Sequence, residues 1–441
     1  MKKRYALAAA VATCIVALAP LSAHANTLTD ILDFNPYNSG SNPVGAFAVG
    51  PLSGNLGFNI LYGVTATGGG YGYGATFMLT PPQSTGQTIW TETILTAFNG
   101  TTSGSTPQSG LVSDANGVLY GTASSGGTAQ CTQQPYGPAT PYKCGIVYSL
   151  TRNSNGIWQS NILYAFQGFY NHLNDGWGPV SSLLVDANGN LYGTTTQGGA
   201  ANQGAVFELV RQTNGTYIES RLYDFQPVTG NDPIGALIGD GNPVPNALYG
   251  TTSGLDPGNP NGAVFRLTRN MIGVTWQYAT LYQFGPEDPI GINPVGLHLA
   301  EDGSSGLVGV TEFGAQANCG TVFEMEPPPG GSGYWVGRTL YNFTGAPNDG
   351  CHPTGVFFNF NNIFGTTAAG GSANKGILYR LDPAQNGGRV ETVLHSFTGA
   401  PHDGAQPNGG LAIGSSGGML YGTTYSGGAS NLGQAFWVNL P

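Results

Sequence analysis

Leu191-Tyr192-Gly193-Thr194-Thr195, a glycine-rich turn, and then Gly204-Ala205-Val206-Phe207-Glu208-Leu209-Val210 make up a phrase that this chain states seven times. The first half recurs as LYGVT from Leu61, LYGTA from Leu119, LYGTT from Leu248, LVGVT from Leu307, IFGTT from Ile363 and LYGTT from Leu420. The second half recurs as GATFMLT from Gly74, GIVYSLT from Gly145, GAVFRLT from Gly262, GTVFEME from Gly320, GILYRLD from Gly376 and GQAFWVN from Gly433. Successive starts lie 58, 72, 57, 59, 56 and 57 residues apart. A fixed period of this size marks an architecture built by copying one supersecondary unit. The single long step holds an insertion carrying Cys131 and Cys144.

Each period contains four runs of alternating apolar and polar residues, the signature of strands. In the third copy they cover residues 180–186, 191–196, 204–210 and 221–225, with tight turns at Ala187-Asn188-Gly189 and Asn214-Gly215. Four antiparallel strands per repeat of this length describe one propeller blade. A β-solenoid is the competing architecture, but it needs a shorter coil and ladders of identical side chains. The fourth run ends on a phenylalanine, as ILDF from Ile31, LTAF from Leu95, LYAF from Leu163, LYDF from Leu222, LYQF from Leu281, LYNF from Leu340 and LHSF from Leu394. The first of these precedes every LYG copy, and none follows the last. The N-terminal strand is therefore expected to complete the seventh blade, which leaves no open sheet edge in the ring. The expected fold is an all-β seven-bladed β-propeller with three-plus-one closure, one domain over residues 26–441.

Composition agrees. Charged residues are 8% of the 441, against about 25% in ordinary soluble proteins. The chain holds 72 glycines and 29 prolines, which argues against helical architectures. With 40% hydrophobic and 11% aromatic residues, it can bury a core and is not expected to be disordered. Lys2, Lys3 and Arg4, an apolar stretch to Leu21, and Ala23-His24-Ala25 read as a secretory signal over residues 1–25, cleaved near Ala25. Its removal leaves ten basic and 23 acidic residues, a net charge near −13. With no cluster of Lys and Arg to neutralise phosphates, nucleic acid is not an expected partner. No later segment is long and apolar enough for membrane insertion. No nucleotide-binding fingerprint stands in a strand–helix context, so no cofactor is expected. Gly414-Ser415-Ser416-Gly417-Gly418 matches a nucleophile motif only by composition.

The pattern DxxGNLYGTTxxGGxxNxGxVFxLT…LYxFxxxxDGxxP, plainest at residues 186–209 and 394–407, resembles the GloVer tandem repeat of exported bacterial proteins, over essentially the whole mature chain. The resemblance implies export and propeller-like repeats. It implies no particular reaction.

In an antiparallel blade the loop from strand two to strand three and the segment leading into the next blade open on one rim. The glycine-rich turns and the DGxxP segments should therefore meet there, with the DxNG hairpins at Asp114 and Asp186 on the opposite rim, as tight turns only. Loops on a rigid scaffold are where function concentrates. Of the four cysteines in the mature chain, Cys319 and Cys351 should meet on the DGxxP rim as a disulfide, and Cys131 and Cys144 should close the insertion. Free thiols are the alternative, and no spacing suits a metal.

Trp90, Trp158, Trp276 and Trp335 all fall just before strand four and are expected to pack between strands. Trp177 breaks that pattern. It ends a loop containing Tyr170, Asn171, His172, Asn174 and Asp175, and aromatic faces flanked by amides and carboxylates are what sugar recognition uses. These six residues are the candidate ligand-binding set.

His352 beside Asp349 and His402 beside Asp403 are candidates for proton transfer. Yet aspartates recur at matching positions (Asp175, Asp232, Asp288), which suggests turn capping instead. His298 sits in an innermost strand, and His395, on an outer strand, has no assigned role. A glycan hydrolase would need two carboxylates at a defined separation from among Asp175, Asp256, Glu287, Asp288, Glu312, Asp349 and Asp403. A lyase lacks cations for an acidic substrate. The sequence therefore points to a secreted, monomeric module that binds a glycan or protein. A glycan-active hydrolase and a structural surface protein are the alternatives.

Overall fold

The computed structural model describes residues 28–35, 40–53, 57–84, 89–128, 143–168, 175–227, 229–254, 261–270, 275–300, 306–329, 335–359, 361–385 and 387–440. These residues form seven four-stranded antiparallel sheets and no helix. Blade 1 spans residues 41–97, blade 2 112–165, blade 3 184–224, blade 4 238–283, blade 5 292–342 and blade 6 350–396. In each the strands pair in chain order, innermost first. Blade 7 takes three strands from the C-terminal end, Ala412–Ile413, Met419–Thr424 and Gln434–Asn439, and its fourth, Thr29–Asp33, from the N-terminal end. Thr29–Asp33 runs antiparallel to Gln434–Asn439, with Thr29 opposite Trp437 and Asp33 opposite Gln434. The innermost strands are shorter than the alternation suggested: in blade 3 only Leu184–Val185 is paired.

The repeated residues explain why seven such sheets form a ring. The glycine of each LYG phrase faces the aromatic residue of strand three: Gly193 pairs with Phe207 and Gly365 with Tyr379. A Cβ on either glycine would collide with that ring. The ring laid over the glycine is then met by the phenylalanine that ends strand four of the preceding blade. Phe34–Phe77, Phe98–Tyr148, Phe166–Phe207, Phe225–Phe265, Phe284–Phe323, Phe343–Tyr379 and Phe397–Phe436 all have centroids 5.1–5.7 Å apart. Tilted or edge-on aromatic pairs at this spacing add about 0.5–1.5 kcal/mol each beyond their buried area. The hydrophobic core is accordingly seven clusters, each shared by two neighbouring blades, and the cluster of Ile31, Phe34, Phe77 and Tyr421 joins blade 7 to blade 1.

Three further contacts repeat. Each strand-four phenylalanine donates its backbone N–H to the carbonyl of the glycine opening strand three of its own blade, at 3.0–3.1 Å, from Phe34 on Gly433 to Phe397 on Gly376. That glycine has a positive φ, between +81° and +104°. Its α-carbon lies against a proline that leads into the next blade: Pro107 on Gly74, Pro179 on Gly145, Pro353 on Gly320, and Pro43 on Gly433. The residue before the proline is left-handed in all seven blades (Asn42, Thr106, Gly178, Asp232, Asn293, His352, Gln406). In six of them its N–H bonds a carbonyl of the preceding blade at 2.8–3.0 Å, as His352 does to Cys319 and Gln406 to Lys375. Left-handed backbone costs about 1–2 kcal/mol for a residue with a side chain, and here it aims the N–H at the neighbouring blade.

Trp90, Trp158, Trp276 and Trp335 reach sideways to the preceding blade. They lie edge-on to Tyr421, Tyr62, Tyr192 and Tyr249, at 5.5–6.4 Å.

Candidate functional site

The glycine-rich turns and the DGxxP segments do meet on one rim. Gly176–Trp177 pairs with Gln197–Gly198 in blade 3, and Gly404–Ala405 pairs with Ser426–Gly427 in blade 7. The aspartates of that rim are occupied in holding loops. Asp349 accepts hydrogen bonds from Thr344 N (2.7 Å), Thr344 Oγ1 (2.8 Å), Tyr341 Oη (3.2 Å) and Gly350 N (2.6 Å). Asp175 accepts from Gln167 N, Tyr164 Oη and Gly176 N, and Asp288 from Gly285 N, Tyr282 Oη and Ile290 N. In each case the tyrosine is the second residue of an LYxF ending.

In blade 6 that ending is LHSF, and His395 takes the tyrosine's place. Its Nε2 lies 3.0 Å from Asp403 Oδ2, and Thr398 N and Gly404 N complete the cap. Burial works to raise Asp403, but the His395 imidazole and these N–H groups outweigh it and hold the carboxyl below its ordinary range. The partner of Asp403 is thus His395, on the strand before the turn, whereas the adjacent His402 is exposed. Aligning LHSF with the LYxF endings puts His395 at the tyrosine's position, which identifies the pair once the tyrosine–aspartate bonds of the other blades are known.

Two of these caps carry a second carboxyl. Glu391 of blade 6 shares Tyr341 Oη with Asp349, at 3.1 Å. Burial, and then the Asp349 carboxylate, push Glu391 up to about 8. Glu219 holds the same position in blade 3, where burial and then Asp175 push it up to about 7.

A cavity of about 480 Å³ opens on this rim in blade 5, between residues 286–292 and 314–318. Its polar lining is Glu287, Asp288, Gln316, Asn318 and Asn342, of which Asp288 is held in its cap and Asn318 Oδ1 accepts from Gly314 N at 2.9 Å. The disulfide joins Cys319, next to Asn318, to Cys351, next to His352, with sulfurs 2.06 Å apart. This ties the cavity's turn to the segment leading into blade 6. His352 lies edge-on to Phe313 at 4.9 Å, and its Nδ1, 3.1 Å from Glu312 O, donates to that carbonyl. Glu312 Oε2 accepts from Asn293 Nδ2 at 2.6 Å, and burial raises the Glu312 carboxyl. Glu312 and His352 are therefore neighbours, although His352 and Asp349 are not hydrogen-bonded partners. Ala315, in the cavity wall, has φ +58° where other blades carry glycine.

Of the aromatic loop, Tyr170, Asn171, His172 and Asn174 lie outside the described residues, as do Cys131 and Asp256. Asp175 is buried in its cap. Trp177 is half-buried and donates from Nε1 to Asn202 Oδ1 at 3.4 Å. Cys144 is disulfide-bonded and fully buried. Among the described residues, no three His, Cys, Asp or Glu side chains come together as a metal site, and no helix is long and apolar enough to cross a membrane.

The fold and its repeated latches define a seven-bladed propeller of tandem-repeat type. Residues 61–275, 132–360 and 244–436 match the model of the Gloeobacter/Verrucomicrobia repeat, and the chain belongs to that family. No curated protein matches it. Among solved structures it is similar to a protein of unknown function from Dyadobacter fermentans, at 12% identity over 75% of this chain and 93% of that one, with TM-score 0.43. It is also similar to a putative oxidoreductase (glucose dehydrogenase) from Thermus thermophilus, at 12% identity over 94% and 100% of the two chains, with TM-score 0.40.

Proposed function

We propose that this protein is an exported, monomeric binding module whose DGxxP rim holds a neutral polar ligand of the saccharide class. The observation that carries the reading is the blade 5 cavity, about 480 Å³ and lined by the amides of Gln316, Asn318 and Asn342 beside Glu287 and the capped Asp288. Amides offer both donors and acceptors, which suits hydroxyl groups; Asn318, whose oxygen caps Gly314 N, contributes its Nδ2 as donor, and the volume lies within the usual range of small-molecule sites. The Cys319–Cys351 bridge holds the amide-bearing turn in place before any ligand arrives, so less ordering is needed on binding. Trp177, half-buried with Nε1 on Asn202, offers a second contact on the same rim.

Export is supported by the basic and then apolar N-terminus and by the disulfide, since such bonds persist in oxidising compartments. A hydrolase is less well supported. The rim aspartates Asp175, Asp288, Asp349 and Asp403 spend their oxygens on loop N–H and side-chain donors. Among the described residues that leaves Glu287, in the cavity wall, and Glu312 beside His352.

The test is a glycan-array screen of the purified protein, with product analysis on every glycan retained. Binding without turnover, lost in Asn318→Ala, supports the reading. Binding lost only in Trp177→Ala moves the site to blade 3. New reducing ends that disappear in Glu312→Gln replace binding with hydrolysis. Silence across the array rejects the saccharide and favours a protein partner.

A further inference from the structure

We propose that a second site lies on the opposite rim, where the innermost strands of blades 3, 4 and 5 run out, and that it takes a small uncharged aromatic molecule bearing one hydroxyl, of the phenol class. The proposal is independent of the reading of the DGxxP rim.

A cavity of about 300 Å³ opens there. Its walls are Leu184, Leu237, Ile238, Leu299 and Pro245, with His298 among them. The histidine is a break in the repeat. It lies opposite Val308 on its neighbouring strand, as Leu184 lies opposite Tyr192 and Ile238 opposite Tyr249. The same register position holds Ala48, Val112, Phe357 and Ala412 in blades 1, 2, 6 and 7. Six blades place an apolar residue there, and packing alone would be served by a seventh.

The imidazole is also oriented. Its Nδ1 lies 2.8 Å from Leu299 O. A carbonyl only accepts, so Nδ1 carries the proton, and Nε2 of the neutral ring is an acceptor. No hydrogen bond to Nε2 forms among the described residues. The rings of Phe357 and Phe358, at 5.9 and 5.7 Å, flank the imidazole and hold its plane.

The chemistry of the occupant follows from what lines the space. An apolar cavity of about 150 Å³ accommodates benzene, so about twice that accommodates one substituted ring, and a folded peptide is too large. Among the described residues, no Lys or Arg lines it. The carboxylate of Asp186, at its edge, is taken by Asn188 N, Asn190 N, Asn190 Nδ2 and Tyr192 Oη of its own hairpin. Asn242, also in the wall, gives its Nδ2 to Asp240 Oδ2, so among the described residues no charge remains to pair an ionic ligand, whereas Nε2 awaits one donor. A hydroxyl on an otherwise apolar ring supplies it, and rejecting the hydrocarbon that lacks it is what an unsatisfied acceptor in an apolar wall does well.

The experiment compares 4-ethylphenol with ethylbenzene by ligand-observed NMR titration on the full purified chain. The phenol is expected to bind at least tenfold more tightly. In His298→Leu, which restores the residue type of blade 3, the preference is expected to vanish while ethylbenzene binds as before. Ile238→Trp, which fills the space, should abolish both. Failure of both probes to bind, equal affinity for the two in the wild type, a preference that survives His298→Leu, or binding that survives Ile238→Trp each overturns the proposal. If Ile238→Trp does not fold, the His298→Leu comparison decides.

Discussion

Gly433, which opens the last strand of the chain, lies directly under Pro43, which leads into the first blade: a Cβ on Gly433 would sit 2.5 Å from Pro43 Cδ. The same glycine–proline contact joins all the other pairs of neighbouring blades, so the seam between blade 7 and blade 1 is built like the rest. Gly433→Ala should therefore be costly. It adds a left-handed penalty of about 1–2 kcal/mol to overpacking of about 1–3 kcal/mol, because φ there is +104° and the proline cannot retreat. Gly417, in a hairpin with φ +74° and nothing within 4 Å of its Cβ position, carries the conformational penalty alone. Urea unfolding should separate the two variants by at least about 1 kcal/mol. Equal losses would show that the seam has room.

Phe34 on the closing strand is fully buried and packs against Phe77 of blade 1 at 5.1 Å. Phe225, inside the ring, packs against Phe265 at 5.2 Å. If the N-terminal strand is a full member of blade 7, Phe34→Ala and Phe225→Ala should each cost about 3–5 kcal/mol, the usual loss for a buried aromatic. A Phe34→Ala loss under about 1 kcal/mol would mean that the strand is a detachable terminus.

The buried carboxyls make stability pH-dependent in a stated direction. Glu391 has an ordinary value of 4.5 and is held at about 8 in the folded chain. Between those values the folded state keeps a proton that the unfolded state has released, so stability falls as pH rises through that window. Glu219 acts likewise between 4.5 and about 7. Glu391→Gln, which mimics the protonated form, should match wild type near pH 5 and exceed it at pH 8, read as urea midpoints against pH. Parallel curves would show that Glu391 is ionised throughout.

The Cys319–Cys351 bridge closes a separation of 32 residues. On the chain-entropy account a loop of that size contributes about 3–4 kcal/mol, and this one also braces the blade 5 cavity. Changing both cysteines to alanine should lower unfolding stability by that order and weaken any ligand held by Asn318. A stability loss with unchanged binding would assign the bridge to the fold alone.

The fold was legible in the sequence because its determinants are local and repeated. The LYG glycine, the strand-three aromatic and the strand-four phenylalanine each appear seven times, and strand four is the one element whose copies are displaced by a whole repeat. That displacement required the Thr29–Asp33 strand to pair with Gln434–Asn439, as it does. Cys319 and Cys351 could be placed on one rim for the same reason. The DG aspartates were legible as caps, but their donors were not. The His395 contact to Asp403 depends on how far a strand-four side chain leans over the next blade's turn, and sequence adjacency pointed to His402 instead.

Periodicity therefore settled the architecture, the number of blades and the closing strand, since each follows from apolar spacing and backbone sterics that act within one repeat. The cavities were decided by tertiary structure. The blade 5 space exists because residues 286–291 and 314–318 separate just beyond the pairing of Ile292 with Phe313. The setting of His298 depends on three innermost strands converging and on the Leu299 carbonyl that its Nδ1 meets. Distances between blades are set by side chains packing across seams, and no run of residues along one strand encodes them.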